Sequence, residues 1–352
     1  METRAMRALV TGSTGMLGSN LVRELVNRGW QVRALARSAE KAAKILGGVP
    51  NVEIVVGDMD HVAGFAPALD GVDVLFHTAA YFREYYGLGD HWAKLEQINI
   101  KASLELFTEA DRRGVKKTIH TSSGGVVGKP TNGKPADETT PADGYVMQNL
   151  YFKSKLLLEQ EIDKFIKSHR MPISMIRPGL ILGPYDSGPT GIGRAIIEML
   201  NGKLPAMPPG GFGFVDARDV AVAMIAMVDK GGNGERYLMP GEYHTMVEML
   251  TLAAQSVGAQ PPRFTMTPFI ALTMARMSEF GARITRTDPM VPLEGIRSML
   301  EWVDVSDAKA RRELGITYRP FTETVRDAAV WFVQNGYVKK GSAALKAAQT
   351  AV

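Results

Sequence analysis

Tyr151 and Lys155 stand four residues apart in a helical run, Tyr145 to His169, downstream of a glycine loop that reads Thr11-Gly12-Ser13-Thr14-Gly15-Met16-Leu17-Gly18. On a helix, residues i and i+4 share a face. A nearby ammonium stabilises a phenolate and lowers a tyrosine from its ordinary pKa of about 10. Such a tyrosine can give a proton to a carbonyl oxygen, or take one from an alcohol, as general acid or base. The spacing alone carries little weight in a chain of 352 residues. The glycine loop upstream gives it meaning.

The loop has the spacing Gly12-x-x-Gly15-x-x-Gly18, directly after the strand-like run Arg7-Ala8-Leu9-Val10 and at the start of a helical pattern. Glycines there permit a tight turn and close backbone approach to a pyrophosphate. The helix N-terminus adds free N–H groups and the positive end of its dipole. Gly12, Ser13, Thr14, Gly15, Met16 and Leu17 are the predicted contacts of a dinucleotide. NAD sites usually carry an acid at the end of the second strand for the ribose 2′-hydroxyl. Here that stretch is Ala34-Leu35-Ala36-Arg37-Ser38, without an acid. Arg37 can grip a 2′-phosphate with two donors and stack on adenine. Lys41 and Lys44 follow one and two turns on. NADP(H) is therefore the preferred cofactor, with NAD(H) possible if Arg37 is only a surface arginine.

Further candidates lie at the ends of the next strands. Asp58, beside Met59 in Val56-Gly57-Asp58-Met59, can accept a hydrogen bond from adenine or cap a helix. Thr78, Ala79 and Ala80 are small enough for ribose and nicotinamide to lie against the backbone. His77 reads as a packed core histidine. In His120-Thr121-Ser122-Ser123-Gly124-Gly125, Ser123 is the hydroxyl chosen to polarise a substrate carbonyl, with Ser122 the fallback. Lys155 can also reach the nicotinamide ribose.

Around these residues the first half alternates strand and helix. Strand-like runs are Arg7–Val10, Gln31–Ala36, Val52–Val56, Val72–Phe76, Lys117–Thr121 and Ile173–Ile176. Helical patterns such as Met16–Arg28 and Trp92–Arg113 lie between them. That rhythm predicts an α/β fold with a doubly wound parallel sheet. Past Arg177, proline and glycine become dense up to Gly213, then helical runs follow at Asp219–Asp229 and Met246–Val257. Residues 1–178 are expected to hold the dinucleotide. Residues 179–342 are expected to form a substrate lobe that sends elements back to the sheet, and 343–352 a small-residue tail. The Met-rich segment Phe264–Phe280 is expected to be core or pocket wall.

Composition narrows the function classes. Net charge is +4 and the charges are interspersed, which gives no basic face for nucleic acid and mildly suits an anionic cofactor or substrate. Cysteine is absent, so thiol nucleophiles and disulfides are excluded, and the six histidines lack metal-ligand spacing. The N-terminus has no apolar signal core. No uncharged stretch reaches the roughly 18 apolar residues of a membrane span. A cytoplasmic protein is expected.

With glycine loop, serine strand end and Tyr-x-x-x-Lys in this order, the chain resembles the extended short-chain dehydrogenases/reductases of the NAD-dependent epimerase/dehydratase superfamily, over roughly residues 6 to 340. Gly57-Asp58, the segment Arg177 to Pro184, the segment Phe214 to Ala221 and the stretch from Val305 to Gly315 match as well. The resemblance implies that Gly57-Asp58 binds adenine, and that Pro178, Gly179 and Leu180 line the nicotinamide and substrate cleft. It also implies that homodimers are possible. Thr121-Ser122-Ser123-Gly124-Gly125-Val126 looks most like dihydroflavonol reductases, cinnamoyl-CoA reductases and 3β-hydroxysteroid dehydrogenases. Nucleotide-sugar dehydratases carry an Asp-Glu pair where this chain has Gly124 and Gly125. Sugar epimerases, with tightly held NAD, remain the alternative. The expected activity is hydride transfer between nicotinamide and a small-molecule aldehyde, ketone or alcohol, with Ser123, Tyr151 and Lys155 catalytic. Tyr81, Phe82, Tyr85, Met147 and Met207 are candidate apolar pocket residues.

Overall fold

The computed structural model describes residues 4–82, 90–130, 133–204, 206–285, 293–301 and 303–339. Tyr85 and the tail 343–352 lie outside them. Ten strands are described: β1 (Arg7–Thr11), β2 (Gln31–Ala36), β3 (Val52–Val56), β4 (Val74–His77), β5 (Lys117–Thr121), β6 (Ile173–Pro178), β7 (Leu180–Leu182), β8 (Gly211–Asp216), β9 (Arg236–Met239) and β10 (Glu242–Thr245). Seven form one sheet in the order β3-β2-β1-β4-β5-β6-β9. Every neighbouring pair in it is parallel. The chain order reverses at β1, and in doubly wound sheets ligands bind in the crevice beyond that point.

Both faces of the sheet are covered, so its strands are apolar on both sides. Ala8 and Val10 of β1 face a core shared with helices Met16–Asn27 and Ala217–Lys230. Leu9, between them, faces the opposite core, where helices Ala102–Arg112 and Leu150–Ser168 pack. The strand period of two assigns these residues to opposite faces.

Three strands make a smaller sheet, β10-β8-β7, with β7 parallel and β10 antiparallel to β8. Helices Gly191–Leu200, Met246–Ser256 and Phe321–Gln334 close a separate core around Leu182 and Phe214. Gly179 is the pivot between the sheets. Its N–H donates to Met239 O at 2.8 Å, and a Cβ there would meet Pro240 O at 2.3 Å and Gly213 O at 2.6 Å. Strand β9, which sequence periodicity did not reveal, pairs with β6 and returns the chain to the large sheet.

Two expectations about apolar residues are corrected. Met207 is buried in the core of the smaller sheet and bridges Thr265, so it is not a pocket wall. The Met-rich segment forms helix Pro268–Thr285, and only its small residues Ala271, Ala275 and Ala282 are buried. Met274 and Met277 are exposed.

Candidate active site

The loop after β1 turns on Gly12, whose φ of 67° is left-handed and open to glycine without strain. Close approach also requires glycine here, since a Cβ would lie 2.8 Å from both Ala79 N and Thr78 Oγ1. Gly15 N–H donates to Gly12 O at 2.9 Å and closes the turn. At Gly18 a Cβ would stand 2.2 Å from Gly12 O, so the helix packs directly on the loop. Thr78 Oγ1 donates to Thr11 O at 2.7 Å, and Ala79 N–H donates to Thr11 Oγ1 at 3.2 Å. The ends of β1 and β4 are thereby tied together.

Helix Met16–Asn27 begins at Gly15 with no side-chain cap and no acidic residue in its first turn. Among the described residues its first N–H groups therefore have no capping side chain, and no acid in its first turn opposes the positive dipole end. This is an anion site of the kind a pyrophosphate fills, so the residues present fit a dinucleotide. Ser13 contributes differently from the expectation: its buried hydroxyl donates to Leu35 O at 2.8 Å and anchors the loop to β2. Arg37 and Lys41 are exposed just beyond β2. Asp58 caps a short 3₁₀ turn, Oδ1 accepting from Asp60 N at 3.0 Å, and the Met59 side chain is core.

Tyr151 and Lys155 sit in helix Leu150–Ser168, which Asn149 caps by accepting the Phe152 N–H at 3.0 Å. Lys155 is buried and its Nζ donates to Thr121 O, at the end of β5, at 2.8 Å. Burial lowers the Lys155 pKa to about 8, with Glu159 opposing the drop. The expectation of a lowered Tyr151 pKa is not met. Burial pushes the phenol above its ordinary value, and Lys155 Nζ lies 6.0 Å from the ring centroid. At neutral pH the phenol is protonated, which suits proton donation.

The two serines after β5 have different partners. Ser122 is buried and its hydroxyl donates to Glu159 Oε1 at 2.5 Å. That removes Ser122 as a fallback for holding a carbonyl and as a side-chain ligand of cofactor. Ser123 is half-buried, and among the described residues its Oγ accepts just the Gly125 N–H, at 3.2 Å. An accepting hydroxyl keeps its own proton to donate.

Glu159 was missed, although it lies on the Lys155 face of the helix one turn on. It receives Arg177 Nη2 at 2.5 Å and Arg236 Nε at 3.0 Å, from β6 and β9. Burial pushes its pKa up, but the hydrogen bond and charge of Arg177, then Ser122 and Arg236, outweigh this and hold it below the usual carboxylate range. Asn99 was missed too. It is buried in a π-helical stretch, Glu96–Lys101, where Oδ1 accepts Tyr81 N–H at 2.7 Å and Nδ2 donates to Ser154 Oγ at 3.0 Å. Asn99 thus ties the segment after β4 to the helix of Tyr151. A polar residue in Ile98-Asn99-Ile100 was the available signal.

His77 is a core residue, as expected. Its ring lies 2.8 Å from Thr11 Oγ1 and 2.9 Å from Ser103 Oγ, and burial then the Lys155 charge take its pKa to about 3. Gly125 explains why no acid stands after the serine: a Cβ there would lie 2.3 Å from the ring of Phe152. Among the pocket candidates, Phe82 lies against Tyr151 with ring centroids 4.7 Å apart and the planes tilted by 57°. Tyr81 hydrogen-bonds His91 Nδ1 at 2.8 Å, and Met147 is exposed on its helix.

Crevice, uncapped helix and Tyr-Lys helix together define a nucleotide-dependent oxidoreductase. The chain belongs to the NAD dependent epimerase/dehydratase family, whose sequence model matches residues 8–239, and is an NAD(P)-dependent oxidoreductase of the short-chain dehydrogenase/reductase type. Among its relatives is the sterol demethylase protein B of Methylococcus capsulatus, 32% identical over 95% of this chain and 100% of that one. A putative dihydroflavonol 4-reductase of a Synechocystis species is 30% identical over 94% of this chain and 95% of its own length. The crystal structure of gox2253 is similar with a TM-score of 0.77 and 33% identity, covering 94% of this chain and 99% of that one.

Proposed function

We propose that this protein is an NADP(H)-dependent carbonyl reductase or alcohol dehydrogenase acting on a medium-sized apolar or aromatic substrate. The observation that carries the proposal is the docking of the Tyr151 helix on the end of β5, through Lys155 Nζ and Thr121 O at 2.8 Å. That contact brings the Tyr-Lys pair to the strand end bearing Ser123.

The dinucleotide supplies or accepts the hydride when bound. Gly12, Thr14, Gly15, Met16 and Leu17 would hold its pyrophosphate. Arg37 and Lys41 would hold a 2′-phosphate, and Asp58 and the backbone of Met59 would meet adenine. Thr78, Ala79, Ala80 and the segment Pro178, Gly179 and Leu180 would flank the nicotinamide side. Ser123 donates a hydrogen bond to the substrate oxygen and stabilises the charge that develops there. Tyr151 gives its phenolic proton to that oxygen in reduction, or receives it in oxidation. Lys155 places a positive charge below the tyrosine, which favours phenolate as the proton leaves. Within residues 179–342, the smaller sheet and the helices packed on it would form the substrate lobe, while β9 returns to the large sheet, and Phe82, whose ring lies against Tyr151, supports an apolar or aromatic substrate. The names of the two relatives, sterol and dihydroflavonol, both denote polycyclic molecules and support the same class.

The test is NADPH oxidation, followed by absorbance, against aldehydes, ketones, sterones and nucleotide sugars, with NADH as control. Turnover of an apolar ketone that falls about 10²-fold or more in Tyr151→Phe, with cofactor affinity unchanged, is expected. Full turnover in that variant overturns the assignment. Interconversion of a nucleotide sugar on tightly held NAD, without net redox turnover, replaces it with the epimerase reading.

A further inference from the structure

Helix Pro268–Thr285 carries an apolar surface that nothing in the catalytic reading uses. With 3.6 residues per turn, Ala271, Ala275 and Ala282 fall on one face, which is buried. Ala271 and Ala275 pack in one cluster with Ile296, Leu293 and Leu300 of helix Leu293–Leu300. The opposite face presents Phe269, Ile270, Met274, Met277, Phe280 and Ile284 to solvent, with Phe269 78% and Met277 69% exposed. Isolated exposed apolar residues are ordinary, but a continuous stripe of six on one helix marks a surface that is covered in use.

The charges around the stripe select its cover. Arg276 and Arg283 stand one above the other along one edge, seven residues apart, both exposed and without an ion pair among the described residues. The helix has one carboxylate, Glu279, and it is turned inward, Oε1 accepting the Leu293 N–H at 3.0 Å. The exposed arc therefore combines large apolar side chains with a cationic rim and no anion. A second copy packed through this same helix would add two more arginines and, among the helix's described residues, no outward carboxylate to receive them. An anionic phospholipid surface offers both an apolar interior and phosphate at its edge. The helix carries Arg276, Glu279 and Arg283 along its length, and no described helix is long and apolar enough to span a bilayer.

The stripe is also joined to the cleft. In the helix packed beneath it, Glu294 Oε1 accepts Asn149 Nδ2 at 2.8 Å, and Ser298 Oγ lies 2.8 Å from the Tyr145 hydroxyl. Asn149 is the cap of the helix that begins with Leu150 and Tyr151. Helix Leu293–Leu300 thus stands between helix Pro268–Thr285 and the start of the catalytic helix, in contact with both.

We propose that helix Pro268–Thr285 lies in the interface of an anionic phospholipid bilayer and seats the enzyme there. Surface binding stands independently of the catalytic reading; delivery of a bilayer-dissolved carbonyl compound to the neighbouring cleft rests on it. The test is co-sedimentation of the full-length protein with vesicles of phosphatidylcholine alone and with phosphatidylserine added at about one part in four. Binding to the anionic vesicles that weakens as salt rises is expected. In F269E/M277E/F280E the partition coefficient is expected to fall about a hundredfold or more, with melting temperature and turnover of a water-soluble carbonyl compound unchanged. R276E/R283E is expected to lose the preference for phosphatidylserine while keeping its melting temperature. Protein that remains in the supernatant with both vesicle types overturns the proposal. So does size-exclusion chromatography showing a dimer that the triple variant dissolves, since the stripe is then covered by a second copy. Because binding is read without substrate, its failure is distinguishable from failure of the reductase assignment.

Discussion

Ser122 Oγ donates to Glu159 Oε1 at 2.5 Å, and this one contact separates the roles of two adjacent serines. Strand geometry points neighbouring side chains to opposite sides. Ser122 turns into the buried network of Glu159, Arg177 and Arg236, and Ser123 turns away from it. Ser123→Ala is therefore expected to lower kcat about 10²-fold with little change in melting temperature. Ser122→Ala is expected to keep most turnover and to lose about 1 kcal/mol of stability. Parallel kinetics and thermal melts check the pair, and equal kinetic losses would show that the separation is wrong.

Glu159→Gln leaves two arginines facing a neutral amide in a buried setting. Breaking one side of such a network typically costs about 3–5 kcal/mol. Chemical denaturation is expected to show a loss in that range, with β6 and β9 loosened together because Arg177 and Arg236 come from those strands.

Turnover should depend on the Lys155 proton. Its pKa is lowered by burial to about 8, so the ammonium is present below that value and lost above it. The rate of carbonyl reduction is expected to fall as pH rises through about 8. Lys155→Met is expected to abolish turnover and, at pH 7, to raise stability by on the order of 1–2 kcal/mol. The reason is that a group with a depressed folded pKa opposes folding while it is charged. A pH–rate profile and thermal melts at pH 7 measure both effects; a profile flat through pH 9 contradicts the role given to this charge.

Two stacked histidines predict acid sensitivity. His77 and His120 are buried with ring centroids 5.3 Å apart, and burial holds both below their ordinary pKa, His77 at about 3. The unfolded chain takes up these protons near pH 6.5 while the fold does not, so stability is lost as pH falls below that value. Each ring contributes about 1.4 kcal/mol per pH unit. Neither His120 nitrogen has a hydrogen-bond partner among the described residues. His120→Phe is expected to keep stability at pH 7 and to reduce the slope between pH 6 and about 4, read by denaturant melts across that range.

Arg37→Asp tests the cofactor preference. Removing a two-donor contact to phosphate and installing an acid is expected to raise the KM for NADPH by about ten- to a hundredfold while leaving or improving that for NADH. Equal values for both cofactors in the unaltered protein would remove Arg37 from the site.

The sequence by itself determined what depends on neighbours along the chain. The bounds of β2, β3 and β5, the glycine turn after β1 and the shared face of Tyr151 and Lys155 follow from periodicity and local backbone freedom. The tertiary structure decided which groups meet across long separations. It set the partner of Lys155, the burial that raises the Tyr151 pKa, the commitment of Ser122 to Glu159, the pairing of β9 with β6 and the filling of Gly125 by Phe152. It also decided that the Met-rich helix buries its alanines and exposes its large side chains. Hydrophobic periodicity fixes which residues share a face, but not what that face is packed against. Desolvation and hydrogen-bond partnership exist only once the elements are assembled.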